Sequence, residues 1–225
     1  TIDYGPCAFM DNYDPNTVFS SIDRWGRYSY QNQPEITKWN LAKLAESLLP
    51  LIDDNINKAV EMAQNSINLF DNIYQEKWLK MMQNKLGIVD DHKSDKNLII
   101  DLLDWMTKNS VDYTNTFRYL TDKSIITTKQ YECQNFQNWY IKWQKRISQN
   151  SNTTTNSIKI MQKHNPVIIP RNHKVEQAIE TAYLNDINPT TKLLKALQNP
   201  YNYNENFNEY KTPPSNSERI YQTFC

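Results

Sequence analysis

The chain opens on Asp3-Tyr4-Gly5-Pro6-Cys7-Ala8-Phe9-Met10-Asp11, with an acid two residues ahead of a glycine. Glycine lets the backbone turn sharply, and a carboxylate held on such a turn can link a divalent cation to nucleotide phosphates. Asp3 is thus a candidate ligand for a divalent cation bound to nucleotide phosphates. Taken alone, the tripeptide is more simply read as a turn with an Asx-type hydrogen bond, and it gains weight only from what accompanies it. Asp11, Asp14 and Asp23 follow as acids suited to capping turns or to adding a contact behind a metal ligand. Arg27 offers a planar guanidinium that could tie its loop to a carboxylate or meet a substrate, the anchoring role being favoured. Further on, Arg171 fits a buried ion-pair partner of the start segment. His173 fits a structural role better than acid–base work, with Asn172 before it as a helix N-cap.

Composition removes several classes of function. Lys plus Arg number 25 and Asp plus Glu 25, so no long-range field draws the chain to nucleic acid or to an anionic membrane. No stretch approaches the roughly 20 apolar residues that cross a bilayer, and no signal-peptide pattern is present. Cys7, Cys133 and Cys225 are odd in number and far apart, which argues against a zinc site or a disulfide framework and suits a reducing, cytoplasmic setting. Only 3 Gly stand against 6 Trp, 14 Tyr and 7 Phe, a balance that suits long helices locked by aromatics.

The elements that must position these residues are helical. Residues 1–34 hold no sustained period and read as ordered loop punctuated by Gly5-Pro6, Asp14-Pro15, Gly26 and Gln33-Pro34. A helix is predicted from Ile36 to Leu49, ended or kinked by Pro50. A second, long helix is predicted from about Asp53 to Leu86 with Gly87 as its C-cap. Ser94 or Asp95 could cap a helix through Met106, and Asp112 another through Leu120. Between Gln130 and Ile147 the aromatics Tyr131, Phe136, Trp139, Tyr140 and Trp143 fall at helical spacing and read as core. Lys142, Lys145 and Arg146 read as the solvated face rather than a nucleic-acid surface. Residues 149–157 are polar and predict a surface loop. Helical pattern resumes over Ile158–Gln162, Val175–Leu184 and Leu193–Leu197, and the tail from Tyr201 to Cys225 is expected to wrap the surface in extended form.

Asp3-Tyr4-Gly5-Pro6, Gly26-Arg27-Tyr28, Asn32-Gln33-Pro34 and Trp39-Asn40-Leu41-Ala42 closely resemble the selenoprotein O family, also called the YdiU family. Asp112-Tyr113-Thr114-Asn115-Thr116-Phe117-Arg118 and Asn165-Pro166-Val167-Ile168-Ile169-Pro170-Arg171-Asn172-His173 are similar to later signatures of that family, in the same order. Tyr221-Gln222-Thr223-Phe224-Cys225 resembles the ending of its bacterial, cysteine-containing members.

The resemblance implies a pseudokinase fold that transfers AMP from ATP to Ser, Thr or Tyr hydroxyls of proteins and releases pyrophosphate. By motif position Asp3 takes the metal-ligand role of a kinase Asp-Phe-Gly element, with Mg2+ or Mn2+ as cofactor and ATP and protein substrates as partners. Residues 1–34 would be the metal-binding element and activation segment, and residues 35–225 the helical C-lobe with its tail, forming one continuous domain. The nucleotide-binding lobe, the proton-accepting Asp and the Asn that completes the metal site are expected upstream of Thr1, so that this piece alone should not catalyse. The family carries a redox-active cysteine or selenocysteine near its C-terminus, which for Cys225 raises a disulfide with a loop cysteine. Where some members have that cysteine, this chain reads Val18-Phe19-Ser20. Cys7 is the alternative partner left, its apolar neighbours suit an inert buried thiol, and regulation by this bridge is not expected. Two other readings stay open from the residues: a kinase-like phosphotransferase, and a non-catalytic helical interaction module.

Overall fold

The computed structural model describes residues 8–122, 129–151, 154–203, 207–215 and 217–218. Asp3 and Cys7 at the start, and Cys225 at the end, lie outside the described residues. The fold is mainly α, and among the described residues there is no strand, only an isolated antiparallel bridge between Asn12 and Asp112.

After a 3-10 turn at Tyr30–Asn32, helix α1 runs over Gln33–Ile52, with Pro34 in its first turn, where a missing N–H costs nothing. Pro50 does not stop α1; it sits in the last turn, and the helix ends at Asp53, which is extended. Asp53 Oδ1 accepts from Asn55 N at 3.0 Å, and Asn55 caps α2 (Ile56–Asn68) by accepting from Asn57 N at 3.0 Å.

The single helix expected from Asp53 to Leu86 is two. Helix α3 (Phe70–Lys85) follows α2 after Leu69, whose N–H bonds to Ser66 O. One tightened i→i−3 turn is enough to break the ladder while leaving Leu69 near helical dihedrals.

Helix α3 ends in a Schellman motif: Ile88 N bonds to Gln83 O at 2.9 Å and Gly87 N to Asn84 O at 3.1 Å, with Gly87 at φ +68. A Cβ on Gly87 would lie 3.0 Å from Met161 and from Ser157 O. Gly87→Ala therefore combines left-handed strain with a backbone clash. It is expected to lower stability by about 1–3 kcal/mol, read as a fall of several degrees in Tm. Gly26→Ala shares the positive φ, but its Cβ would meet Val18 at an ordinary 3.6 Å, so it should cost less.

The core gathers the end of α3, α4 (Asp95–Asn109), α5 (Tyr113–Thr121) and α6 (Gln134–Ile147). Phe136 is its hub, 4.6 Å from the Trp105 ring, 5.1 Å from Tyr131 and 5.7 Å from Trp139, centroid to centroid. All five aromatics of the 130–147 stretch are buried, as their spacing predicts. Lys142 and Lys145 are exposed, but Arg146 is not on the solvated face. Its guanidinium is buried against Asp95, Nε to Oδ1 at 2.6 Å and Nη2 to Oδ2 at 3.1 Å, and Asp95 itself is fully buried. Asp95 also accepts from Gln83 Nε2 at 3.0 Å and His92 N at 2.9 Å. Burial raises its pKa, but Arg146, Gln83 and the His92 amide outweigh that and hold it below the usual carboxylate value.

Helix α7 (Thr154–His164) begins inside the stretch predicted as loop. The turn before it is held by Asn150, whose Nδ2 donates to Gly87 O and Ser157 Oγ, both at 2.9 Å. A smaller apolar cluster joins Val167 and Ile168 to α8 (Asn172–Tyr183), α9 (Asn188–Leu197) and Tyr210. Arg171, not Asn172, stands at the N-cap of α8, and Asn172 is its first helical residue. The tail is not simply extended: Asn208–Lys211 forms a short helix α10 that buries Tyr210. Among the described residues no helix is long and apolar enough to cross a membrane.

Candidate functional site

Three stretches far apart in sequence meet at one place. The start segment pairs with the entry to α5 through Tyr13 N to Val111 O at 2.9 Å and Tyr113 N to Asp11 O at 2.8 Å. Asp112 caps α5 as its position predicts, Oδ1 accepting from Asn115 N at 2.7 Å. The buried Arg171 then bonds both acids: its Nη1 donates to Asp11 Oδ1 and, at 2.7 Å, to Asp112 Oδ2, and Nη2 reaches Lys211 O at 3.2 Å. The predicted pairing of Arg171 with the start segment is thus present, and Asp112 is a partner that the sequence did not reveal.

Burial raises the pKa of Asp112 in spite of Arg171. Burial also disfavours the Arg171 cation, but Asp112 and Asp11 outweigh it and raise the arginine's pKa. Asn115 Nδ2 also reaches Lys211 O, and its Oδ1 accepts from Arg118 Nη1 at 2.6 Å. Arg171 of one signature and Asp112, Asn115 and Arg118 of the other thus share one buried hydrogen-bonded network under the start segment.

Aromatic stacking reinforces the anchor. Tyr13 stacks on Tyr113 at 5.6 Å and meets Tyr30 edge-on at 5.9 Å, and Tyr113 meets Phe117 edge-on at 5.1 Å. Burial, with smaller contributions from neighbouring Tyr30 and acids, pushes Tyr13 up to about 12, so its hydroxyl stays protonated at any physiological pH.

Residues 14–32 are folded on themselves. Asp14 accepts from Asn16 N at 2.8 Å, and Asp23 accepts from Arg27 N at 2.8 Å and Tyr28 N at 2.7 Å, so both cap turns. Asn32 Nδ2 donates to Gly26 O at 2.9 Å, where Gly26 takes φ +64. Arg27 anchors its loop, but on an aromatic rather than a carboxylate: its guanidinium lies 4.6 Å from the Trp39 ring of α1. His173 is buried and its pKa is lowered, first by burial and then by Lys174; its Nδ1 finds no hydrogen-bond partner among the described residues.

Between this segment, α1, α3 and α5 lies a cavity of about 780 Å³, walled by Phe9, Met10, Phe19, Tyr28, Ile36 and Phe117. Lys85 is among the residues that line it. Its Nζ donates to His164 O at 3.2 Å and Asn165 Oδ1 at 3.1 Å, and lies 4.7 Å from the Phe117 ring and 5.4 Å from Tyr113. Burial lowers its pKa to about 8. Asn165 returns the bond, Nδ2 donating to Lys85 O at 2.8 Å. Sequence reasoning missed Lys85, since a lysine two residues before a capping glycine reads as compensation for the helix dipole. The cue was Asn165-Pro166, a polar start to an otherwise apolar run.

Among the described residues no three His, Cys, Asp or Glu side chains gather to hold a metal. Asp11 is engaged by Arg171, and Asp14 and Asp23 by backbone amides, so these residues do not fit Mg2+ or Mn2+. Asp3, the expected ligand, lies outside the described residues.

A helical body with a cavity under an anchored start segment does not by itself give a chemistry. Comparison with known proteins narrows it. A family model described as "Protein adenylyltransferase SelO" matches residues 1–198, and the chain belongs to that family. A protein of Nitrosococcus oceani is 50% identical over 226 residues, covering 100% of this chain and 46% of the relative. Relatives from Pelagibacter ubique, at 49% identity, and Bacillus cereus, at 48%, also match the whole chain and cover 47% and 46% of their own lengths. All three are named "Protein nucleotidyltransferase YdiU". The chain thus spans about half the length of the curated relatives it matches.

Proposed function

We propose that this chain is the helical lobe, with its activation segment, of a protein adenylyltransferase of kinase-like fold. The observation that carries this reading is similarity along the whole chain to relatives named protein nucleotidyltransferases, in a family named for adenylyl transfer. The geometry supports it: the start segment, which would carry Asp3, is held by the two later family signatures through Asp11, Asp112 and Arg171.

In the proposed reaction a Ser, Thr or Tyr hydroxyl oxygen attacks the α-phosphorus of ATP. The bond to the bridging oxygen breaks, pyrophosphate leaves, and the hydroxyl proton passes to a base. That base is proposed to lie in the half of the protein that the relatives carry beyond the match. Asp3 is proposed to hold Mg2+ or Mn2+ against ATP. The role of residues 8–33 is to fix where Asp3's chain enters and to offer a surface to the protein substrate.

The test uses full-length protein supplied separately with α-labelled and γ-labelled ATP. Label is expected in protein from α-labelled ATP alone. Incorporation from γ-labelled ATP alone would mean phosphoryl transfer and overturn the reading. Incorporation from neither, with no nucleotide-induced rise in Tm, would leave a non-catalytic interaction module.

A further inference from the structure

Helices α1 and α2 have no core of their own. Among the described residues only Ala59 is buried in the two helices, and neither apolar cluster takes a residue from them. Polar ties hold α1 in place instead. Lys38 Nζ donates to Asp71 Oδ2 of α3 at 2.6 Å, and Trp39 takes the Arg27 guanidinium on its ring. Exposed pairs of this kind contribute little to stability.

The sequence of α1 is nevertheless that of a helix covered on two sides. Ala42, Ala45, Leu49 and Ile52 form one half-buried stripe, and α1 packs on α2. Leu41, Leu44, Leu48 and Leu51 recur at three- and four-residue steps and so line a second stripe beside it. That second stripe is open: Leu44 is 53% exposed and Leu51 82%. Single exposed leucines are ordinary, but four in register along one helix make a contiguous apolar face. The aromatic stripe of α6, at comparable spacing, is buried.

Relative lengths point to what covers this face. The match runs through α1 and α2, yet the chain accounts for only 46% or 47% of each relative, so more than half of each relative lies beyond it. A segment joined to this chain would meet the face at an effective concentration on the order of millimolar, far above that of a free second copy. The three- and four-residue steps form ridges and grooves of the kind that another helix fills.

We propose that the stripe from Leu41 to Leu51 is an interior face of the full-length protein, covered by an amphipathic helix from the part that the relatives carry beyond the match. This rests on reading the chain as one lobe of a longer protein, but not on the chemistry of that protein. The same helix carries Trp39, the seat of Arg27, so covering the stripe would also brace residues 14–32 against the rest of the protein.

The test uses lipid-free full-length protein with the photo-reactive residue p-benzoylphenylalanine in place of Leu51, at the edge of the stripe, and in a second variant in place of Leu44. After irradiation the products are separated on a denaturing gel and their peptides mapped by mass spectrometry. An intramolecular cross-link from at least one position to a peptide outside these 225 residues is expected. Cross-links confined to these 225 residues, a covalent dimer, or no cross-link from either position would each overturn the proposal.

A second variant set reads the same face through stability. Leu44→Asp combined with Leu48→Asp should lower the Tm of the full-length protein by at least about 5 °C, because both charges would enter a covered apolar contact. A smaller change, of the size that surface substitutions give, would overturn the proposal. The two readings fail separately. AMP transfer without the cross-links removes only the interface, and cross-links without AMP transfer remove only the enzymatic reading.

Discussion

Arg171→Met is expected to destabilise the chain by about 3–5 kcal/mol, seen in urea denaturation at neutral pH as a large fall in the midpoint. The methionine can fill much of the volume, but it leaves Asp112 buried without its cation and releases Asp11 from the helical body. The pH dependence gives a second readout. Asp112 already has its pKa raised in the fold by burial, and loss of Arg171 raises it further. A carboxyl whose folded pKa exceeds its unfolded value favours the fold when protonated, and that contribution is lost as pH rises through the folded pKa. The deficit of Arg171→Met should therefore be greatest at neutral pH and shrink as the solution is acidified through the carboxylate range.

Adding Asp112→Asn, which keeps an oxygen for the Asn115 amide and removes the stranded charge, should recover part of the loss. A cost near zero for Arg171→Met would mean that the three side chains are hydrated and do not hold the start segment.

Asp95 works in the opposite direction. Its pKa is lowered in the fold, so its stabilising contribution is present above the unfolded value and is lost as pH falls through the folded one. The two buried acids therefore respond to acidification with opposite sign because their surroundings differ. Asp95 accepts four hydrogen bonds, two of them from Arg146, while Asp112 shares its arginine with Asp11.

What could be read from the sequence was local. The Asp112 cap, the Gly87 C-cap and the aromatic stripe of α6 each depend on residues within a few positions, and each is present in the fold. The break at Leu69 escaped because it needs one displaced hydrogen bond and no breaker residue. Arg146 looked like its neighbours Lys142 and Lys145; only the packing of α4 on α6 selects it for burial, 51 residues from Asp95. Arg171 could be suspected of pairing with the start segment from its motif, but its second acid, 59 residues away, required the fold. Lys85 depended on the same kind of long-range contact, with Asn165 lying 80 residues on.

Asp3→Ala in the full-length protein is expected to cut AMP incorporation by at least about 100-fold, to the background of the assay, with little change in Tm in the absence of nucleotide. The two effects separate because different residues carry them. The start segment is fastened to the helices by Asp11, Tyr13 and Tyr113, all at least eight positions beyond Asp3, so loss of its carboxylate leaves the anchor standing. In the proposed reaction Mg2+ bound with ATP would neutralise charge at the phosphates, and Asp3 is the residue proposed to hold it. Arg171→Met acts instead through position: it should lower AMP incorporation together with Tm, and the Tm rise given by ATP should shrink but survive. Asp3→Ala should lose that ATP-dependent rise while keeping the starting Tm. Full incorporation in Asp3→Ala would remove this carboxylate from the site, whereas a parallel collapse of Tm would reassign it to the same structural anchor as Asp11.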